Sequence, residues 1–269
     1  MLKVEGLYVR YGRTHAVQDV SLEVNQGEVV GLIGPNGAGK TTLINLITGT
    51  TRPTRGTITY QGTLLNGRRP HAIGQLGIAR TFQVVRPFHN LTVLENVAVG
   101  AMYGAGGRGR PTREAFARAA EVLDFVHLGN RADAPAESLT IGGRKRLELA
   151  KALAMEPRLL LLDEVMAGLR GTEVDEAMDL LRAISARGIT LLVIEHVMKV
   201  IVGVCSRVIV LDYGKMIADG SPEEVTRNPA VIEAYLGKKY AAGRAGATDD
   251  GAAAMDAGDT GGGDGGREF

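Results

Sequence analysis

The stretch Gly34-Pro-Asn-Gly-Ala-Gly-Lys-Thr-Thr42 restricts what this chain can fold into more than any other. A continuous apolar run, Val29 to Ile33, leads into it, and a helical pattern, Leu43 to Thr48, leaves it. Strand, glycine loop and helix in that order make a phosphate-binding loop rather than an ordinary turn. Gly34, Gly37 and Gly39 let the backbone fold tightly enough for successive N–H groups to face one concavity. The helix that follows adds the positive end of its dipole. Lys40 brings a mobile point charge for β- and γ-phosphates, and the Thr41 hydroxyl suits a Mg²⁺ ion. Gly34, Pro35, Asn36, Gly37, Ala38, Gly39, Lys40, Thr41 and Thr42 are therefore the candidate nucleotide-binding residues, and the chain is expected to bind a nucleotide.

Composition narrows the class. With 269 residues the chain has room for one large or two small domains with a real core. Its formal net charge is +1 and its Lys and Arg residues are scattered, so no basic face for nucleic acid is signalled. The one cysteine, Cys205, lies in an apolar stretch, cannot form an intrachain disulfide, and reads as an inert buried thiol of a reduced compartment. The opening Met-Leu-Lys-Val-Glu-Gly lacks the apolar core of a signal peptide. Residues Ile189 to Leu211 are greasy, but Glu195, His196, Lys199 and Arg207 interrupt them, each expensive at a bilayer centre. That segment reads as strand, turn, helix and strand in a sheet protein.

Along the chain, residues 1–30 alternate apolar and polar, as half-exposed antiparallel strands do, with Asn25-Gln-Gly27 as a turn. Tyr11, before Gly12, reads from the residues alone as a surface tyrosine. Thr57 to Tyr60 is a short strand in a hairpin region, and Ile78 to Phe82 another, followed directly by Gln83. At the carboxyl edge of a parallel sheet Gln83 would sit where open α/β sheets bind ligands. Residues 88–157 turn helical: Phe116, Ala119, Leu123 and Val126 recur at helix spacing, with Gly129 placed to end that helix, and a second helix runs from about Gly142 to Met155. The glycine-rich segment from Tyr103 to Arg110 reads as a surface loop.

Leu159 to Leu162 suit a strand buried on both faces. Asp163 and Glu164 end it, and two carboxylates there need a purpose, since burial without a partner is costly. Beside a phosphate loop, Asp163 can hold the metal and Glu164 can take a proton from attacking water. Thr172 to Arg187 is an amphipathic helix ended by Gly188; Thr190 to Ile194 is a third continuous apolar strand, closed by Glu195-His196. His196 so placed fits a γ-phosphate contact. Arg207 to Leu211 is one more strand, and Pro222 to Gly237 reads as short helices. Residues 238–269, rich in Gly, Ala and Asp, cannot offset their ordering entropy and are expected to form a disordered tail.

Taken together, the phosphate loop, Gln83, Leu161-Leu-Asp-Glu164 and His196, with a helical block between, resemble the ATP-binding subunit of an ABC transporter over residues 1–237. The likeness is strongest to the subunits that power importers of branched-chain and other hydrophobic amino acids. It is carried by Ala79-Arg-Thr-Phe-Gln83, Leu91-Thr-Val-Leu-Glu-Asn96, Ala167-Gly-Leu169, Ile194-Glu-His196 and Ala234-Tyr-Leu-Gly237. The resemblance implies an α/β phosphate-loop ATPase: a mostly parallel core sheet, an N-terminal antiparallel β subdomain and a helical subdomain inserted at about 88–157. It implies adenine stacking by Tyr11, sensing of Mg²⁺ and water by Gln83, which also serves as a metal ligand with Thr41 and Asp163, and a switch at His196. Lys40, Gln83, Glu164 and His196 are then the catalytic set. The signature loop, which in the family contacts nucleotide held by a second subunit, falls at Leu139-Thr-Ile-Gly-Gly143, where Thr140, Gly142 and Gly143 are the candidate contacts. Here Ile141 and Gly143 replace a glycine and a glutamine, and Arg170 stands where many relatives carry Asp or Asn.

The implied ligands are ATP and Mg²⁺. The implied partners are a second ATPase subunit, identical or paralogous, two transmembrane permease subunits and, indirectly, a solute-binding protein, with the chain peripheral at the cytoplasmic face of the membrane. Uptake of urea, amides or aromatic acids, and export, are variants of this reading. A non-transport ABC ATPase acting on ribosomes or DNA fits less well with a single phosphate loop and no sustained heptads. A GTPase or small-molecule kinase would leave Gln83, the signature-like loop and His196 without roles, and no Asn-Lys-x-Asp motif follows Asp163.

Overall fold

The computed structural model describes residues 1–82, 87–105 and 110–236. Gln83, the loop residues 106–109 and the Gly/Ala/Asp-rich tail from residue 237 onward lie outside the described residues. The chain opens with two long strands, β1 (Leu2–Tyr11) and β2 (Thr14–Val24), then β3 (Val29–Ile33) and helix α1 (Lys40–Ile47). After β4 (Arg55–Tyr60), β5 (Thr63–Leu64), α2 (Pro70–Gln75) and β6 (Ile78–Arg80) it turns helical, through α3 (Val93–Tyr103), α4 (Thr112–Phe125) and α5 (Ile141–Ala154). It then alternates β7 (Leu159–Asp163), α6 (Thr172–Ala186), β8 (Thr190–Ile194), α7 (Met198–Val204) and β9 (Arg207–Asp212). A further strand β10 (Lys215–Gly220) and the short helices α8 (Pro222–Arg227) and α9 (Pro229–Leu236) complete the described chain.

Two sheets result. The first has the order β2-β1-β4-β5 and is antiparallel throughout. The second has the order β10-β9-β3-β8-β7-β6, parallel except where β10 folds back on β9. The four leucines of β7 show why the parallel strands read as unbroken apolar runs. Leu159 and Leu161 face the core shared with α1 and the antiparallel sheet, while Leu160 and Leu162 face the core built from α3 to α7. All four are fully buried, because side chains alternate across a strand and both faces here are covered. The greasy segment from Ile189 to Leu211 is β8, α7 and β9, and among the described residues no helix is long and apolar enough to cross a membrane.

Several boundaries differ from the sequence expectation. Strand β6 stops at Arg80, not Phe82, because Arg80 turns inward to a charged partner described below. Helix α4 ends at Phe125 and His127 takes the left-handed backbone at φ 60°, so Gly129 opens a short 3₁₀ turn instead of ending the helix. Strand β10 carries no recognisable run, since it is an edge strand with mostly half-exposed residues.

Helix α3 carries a glycine for packing. A Cβ at Gly100 would lie 2.4 Å from the Lys151 carbonyl oxygen of α5. Helix propensity alone would make Gly100→Ala stabilising by about 1 kcal/mol. The close approach of a second backbone reverses the sign. Gly100→Ala should destabilise by on the order of 2 kcal/mol in urea unfolding, the range of overpacked cores; a gain in stability would show that α3 and α5 do not pack this closely.

Candidate functional site

At the carboxyl end of β3 the loop from Gly34 to Gly39 turns into α1, with Gly39 capping the helix at φ 102°. Two positions of the turn, Gly34 and Gly39, leave no room for a side chain. Gly34 lies at φ 147°, where a Cβ would sit 2.0 Å from the carbonyl oxygen of Leu211 in β9. A Cβ at Gly39 would lie 2.3 Å from the Ala16 carbonyl of β2. The loop, Asn36 to Thr42, lines a cavity of about 440 Å³ whose other walls are Thr14, His15, Ala16, Gln18, Glu164 and Tyr213.

Lys40 is buried at the base of this cavity, and its Nζ donates to the Gly34 and Pro35 carbonyls at 2.5 and 3.0 Å. Burial lowers its pKa, while the nearby Glu164 and Asp163 carboxylates act in the opposite direction. A half-desolvated ammonium facing weak carbonyl acceptors is a strong receptor for a polyanion.

Strand β7 delivers two acidic groups, and its neighbour β8 the histidine. Asp163, at the end of β7, is buried, and its Oδ2 pairs with Arg80 at 2.7 Å. The same guanidinium donates to Asn45 Oδ1 of α1 at 2.7 Å, and the Asp163 N–H donates to the Thr81 hydroxyl at 3.2 Å. Glu164 follows with its backbone in the left-handed region at φ 51°, strain that costs on the order of 1 kcal/mol or more. Its N–H donates to the Ile194 carbonyl of β8 at 3.0 Å, and its Oε1 lies 2.8 Å from His196 Nε2. With the carboxylate ionised, the imidazole N–H is the donor. Lys40, Asp163, Glu164 and His196 thus come from three strand ends to one edge of one sheet.

The remaining candidates lie further out. Tyr11 is half exposed at the end of β1, with its hydroxyl 3.3 Å from Thr51 Oγ1, and the cavity wall on that side is made by Thr14, His15 and Ala16. Thr140 caps α5, its hydroxyl accepting from the Gly143 N–H at 3.2 Å. A Cβ at Gly142 would come within 2.9 Å of Glu173 Oε1, and Ile141 stands exposed. Neither Thr140, Gly142 nor Gly143 lines the cavity of their own chain's phosphate loop. Among the described residues no three His, Cys, Asp or Glu side chains group to hold a metal unaided. The oxygen donors that are present, the Thr41 hydroxyl and the Asp163 carboxylate, fit a hard Mg²⁺ ion that completes its shell with phosphate oxygens and water.

Comparison with known proteins gives this site its context. Residues 17–167 match the ABC transporter family. The chain belongs to that family. Residues 215–241 match a second model, branched-chain amino acid ATP-binding cassette transporter. The chain is 41% identical over 251 residues to the high-affinity branched-chain amino acid transport ATP-binding protein LivG of Salmonella typhimurium, covering 88% of this chain and 98% of LivG. It is 39% identical to BraF of Pseudomonas aeruginosa, of the same description, with the same coverage of 88% and 98%. Among solved structures, the ADP conformation of MJ1267, an ATP-binding cassette of an ABC transporter, superposes with a TM-score of 0.80 at 30% identity, over 88% of this chain and 99% of that one. A dimeric post-hydrolysis cassette, MJ0796 with ADP and Pi, gives 0.74 at 27% identity, over 82% of this chain and 99% of that one. The chain is an ATPase cassette with the α/β architecture that its motifs imply.

Three residues of the cassette's site escape sequence reasoning. Arg80 is the partner that lets Asp163 be buried; an arginine at the end of an apolar strand was the available signal, since it demands an acid. Lys145, in α5, donates from Nζ to the Glu164 carbonyl at 2.9 Å. Glu195, beside His196, is buried and accepts from the Met166 N–H at 2.8 Å. Desolvation pushes the Glu195 carboxyl up to about 7, opposed by the Met166 N–H and reinforced by the Glu164 charge.

That shift has a stability consequence. The folded pKa lies above the ordinary 4.5, so Glu195 burial costs nothing below pH 4.5, and the penalty grows until it is complete above about 7. Glu195→Gln keeps the acceptor without the charge. It should raise the unfolding free energy at pH 8 by on the order of 3 kcal/mol, seen as a higher thermal midpoint, and change little near pH 4.5. Equal differences at both pH values would show that Glu195 is not buried as a carboxyl.

Proposed function

We propose that this cassette is the ATP-hydrolysing subunit of an importer of branched-chain or other hydrophobic amino acids, acting at the cytoplasmic face of the membrane. Two copies, or this chain with a paralogue, pair so that each signature loop, with Thr140, Gly142 and Gly143, completes the nucleotide site of the other. Two permease subunits dock near Gln83 and the helical block, and a solute-binding protein feeds them. The observation that carries the substrate reading is the match of residues 215–241 to the branched-chain amino acid cassettes, alongside LivG and BraF across the chain. A second reading, driving export, is favoured by 37% identity to the lipopolysaccharide export system ATP-binding protein LptB of Acidithiobacillus ferridurans, over 89% of this chain.

The chain's own groups divide the work. Backbone N–H groups of Gly37 to Thr42 and the start of α1 hold the β- and γ-phosphates. Lys40 exchanges its two carbonyl contacts for phosphate oxygens, a charge-assisted replacement of neutral acceptors. Thr41 and Asp163 would hold Mg²⁺, whose charge offsets that of the phosphates when bound. Tyr11 stacks on adenine at the mouth of the site. Glu164 accepts a proton from the attacking water, and His196 holds Glu164 until its imidazole turns to the γ-phosphate. Most of the rate gain comes from this positioning.

Replacement of Glu164 by Gln should leave ATP binding intact and reduce turnover by at least about a hundredfold, the contribution of a general base. Undiminished hydrolysis would remove Glu164 from that role. Lys40→Ala should weaken nucleotide binding by roughly tenfold or more in calorimetric titration, through loss of a charged hydrogen bond; an unchanged Kd would sink the assignment of the loop. Reconstituted with its permeases, the ATPase should be stimulated by leucine, isoleucine or valine with their binding protein. Stimulation by a lipid alone would favour export.

A further inference from the structure

The start of α5 carries Arg144, Lys145 and Arg146, with no acidic residue in its first turn. Three cations at the positive end of a helix dipole are unfavourable unless each finds an acceptor elsewhere. Arg144 turns back to the Leu139 and Glu137 carbonyls, at 3.0 and 2.8 Å, and Arg146 reaches Glu176 on α6. Lys145 alone of the three crosses to the catalytic turn, where it donates to the Glu164 carbonyl at 2.9 Å.

That turn is held at several other points. Its left-handed backbone at Glu164 is pinned by the bond from the Glu164 N–H to the Ile194 carbonyl, and by the Glu195 carboxyl on the Met166 N–H. Packing also links it to α5: Leu147 and Leu149 share one buried core cluster with Val165 and Met166. A cavity of about 290 Å³ lies between α5, the turn and α6, lined by Leu149, Met166, Leu169 and Leu181 among others. Lys145 stands in the wall of that cavity and makes a polar link across it.

Building on the role proposed for Glu164, we propose that Lys145 is a positioning residue: it ties the signature helix to the backbone of the same chain's Glu164, so that the placement of α5 sets the aim of the glutamate carboxylate. Thr140 to Gly143 begin the helix that carries Lys145, so any contact made by the signature loop is relayed within one chain to its own catalytic turn. Lys145 is not itself among the residues that line the phosphate-loop cavity and meets that wall through the Glu164 backbone carbonyl, so its effect falls on turnover rather than on nucleotide binding.

The test uses the full chain. Lys145→Met should lower kcat on the order of tenfold, as small misplacements of a reacting group do, with KM for ATP within about twofold of wild type; because the Lys145 charge also favours the ionised Glu195 carboxyl, the melting temperature should fall slightly at neutral pH and not near pH 4.5. Lys145→Arg, which keeps the charge and the donors, should recover most of the rate. Wild-type kcat in Lys145→Met would overturn the inference, as would failure to fold or a fall in kcat that vanishes near pH 4.5 together with the stability loss. An arginine variant no better than the methionine would overturn it as well. Glu164→Gln separates the two levels: if it still hydrolyses ATP, the glutamate assignment itself fails; if it is silent while Lys145→Met runs at full rate, only the tie fails.

Discussion

The Arg80–Asp163 ion pair is the interaction on which the arrangement at the sheet edge depends. β6 and β7 run side by side in a covered sheet, and each ends in a charge largely shielded from water. Either charge alone would cost several kcal/mol, and the pair is tolerable because the geometry is direct and Asn45 satisfies a second guanidinium nitrogen. The bond therefore joins three elements, β6, β7 and α1. It fixes the end of β7 relative to the helix that starts in the phosphate loop, which is what brings an acid within the field of Lys40.

Around that anchor the site is built from groups held in readiness by weak or strained partners. Lys40 faces carbonyls rather than carboxylates. Glu164 accepts a backbone conformation that a non-glycine residue seldom adopts, and its carboxylate rests against a half-exposed histidine. Triphosphate chemistry rewards such preparation, because little covalent work is asked of the protein and most of the barrier is lowered by placement and charge. Structural rigidity comes from elsewhere, from β7, β8 and β9, whose alternating side chains feed two separate cores.

Much of this was legible in the sequence, for a physical reason. Strands buried on both faces are almost wholly apolar, so Val29 to Ile33, Leu159 to Leu162 and Thr190 to Ile194 announce themselves, and the residue that breaks each run, Gly34, Asp163 or Glu195, marks the sheet edge. The glycine loop is legible because no other residues can make its turns. What could not be read is whatever depends on a partner far away in the chain. Arg80, Lys145 and Glu195 look like ordinary charged residues until Asp163, the Glu164 carbonyl and the Met166 N–H are set beside them. Local rules also misplace one stop: His127 adopts the left-handed turn that Gly129 was suited to take, because an exposed histidine pays little there. Strand β10 leaves no trace because an edge strand need not be apolar.

The Gly34 Cα rests against the Leu211 carbonyl, and Gly39 against that of Ala16, so the glycine loop is moulded on segments distant in the chain as well as on its own neighbours. On the ribosome, the glycine loop emerges early, but the strand that forms its floor is among the last of the sheet to arrive. Until then the newly made chain has nothing with which to shape the turn. ATP can accordingly act as a folding ligand only for a nearly completed polypeptide, and a fragment ending before β9 would keep the entire loop in its sequence yet lack the mould that gives it affinity.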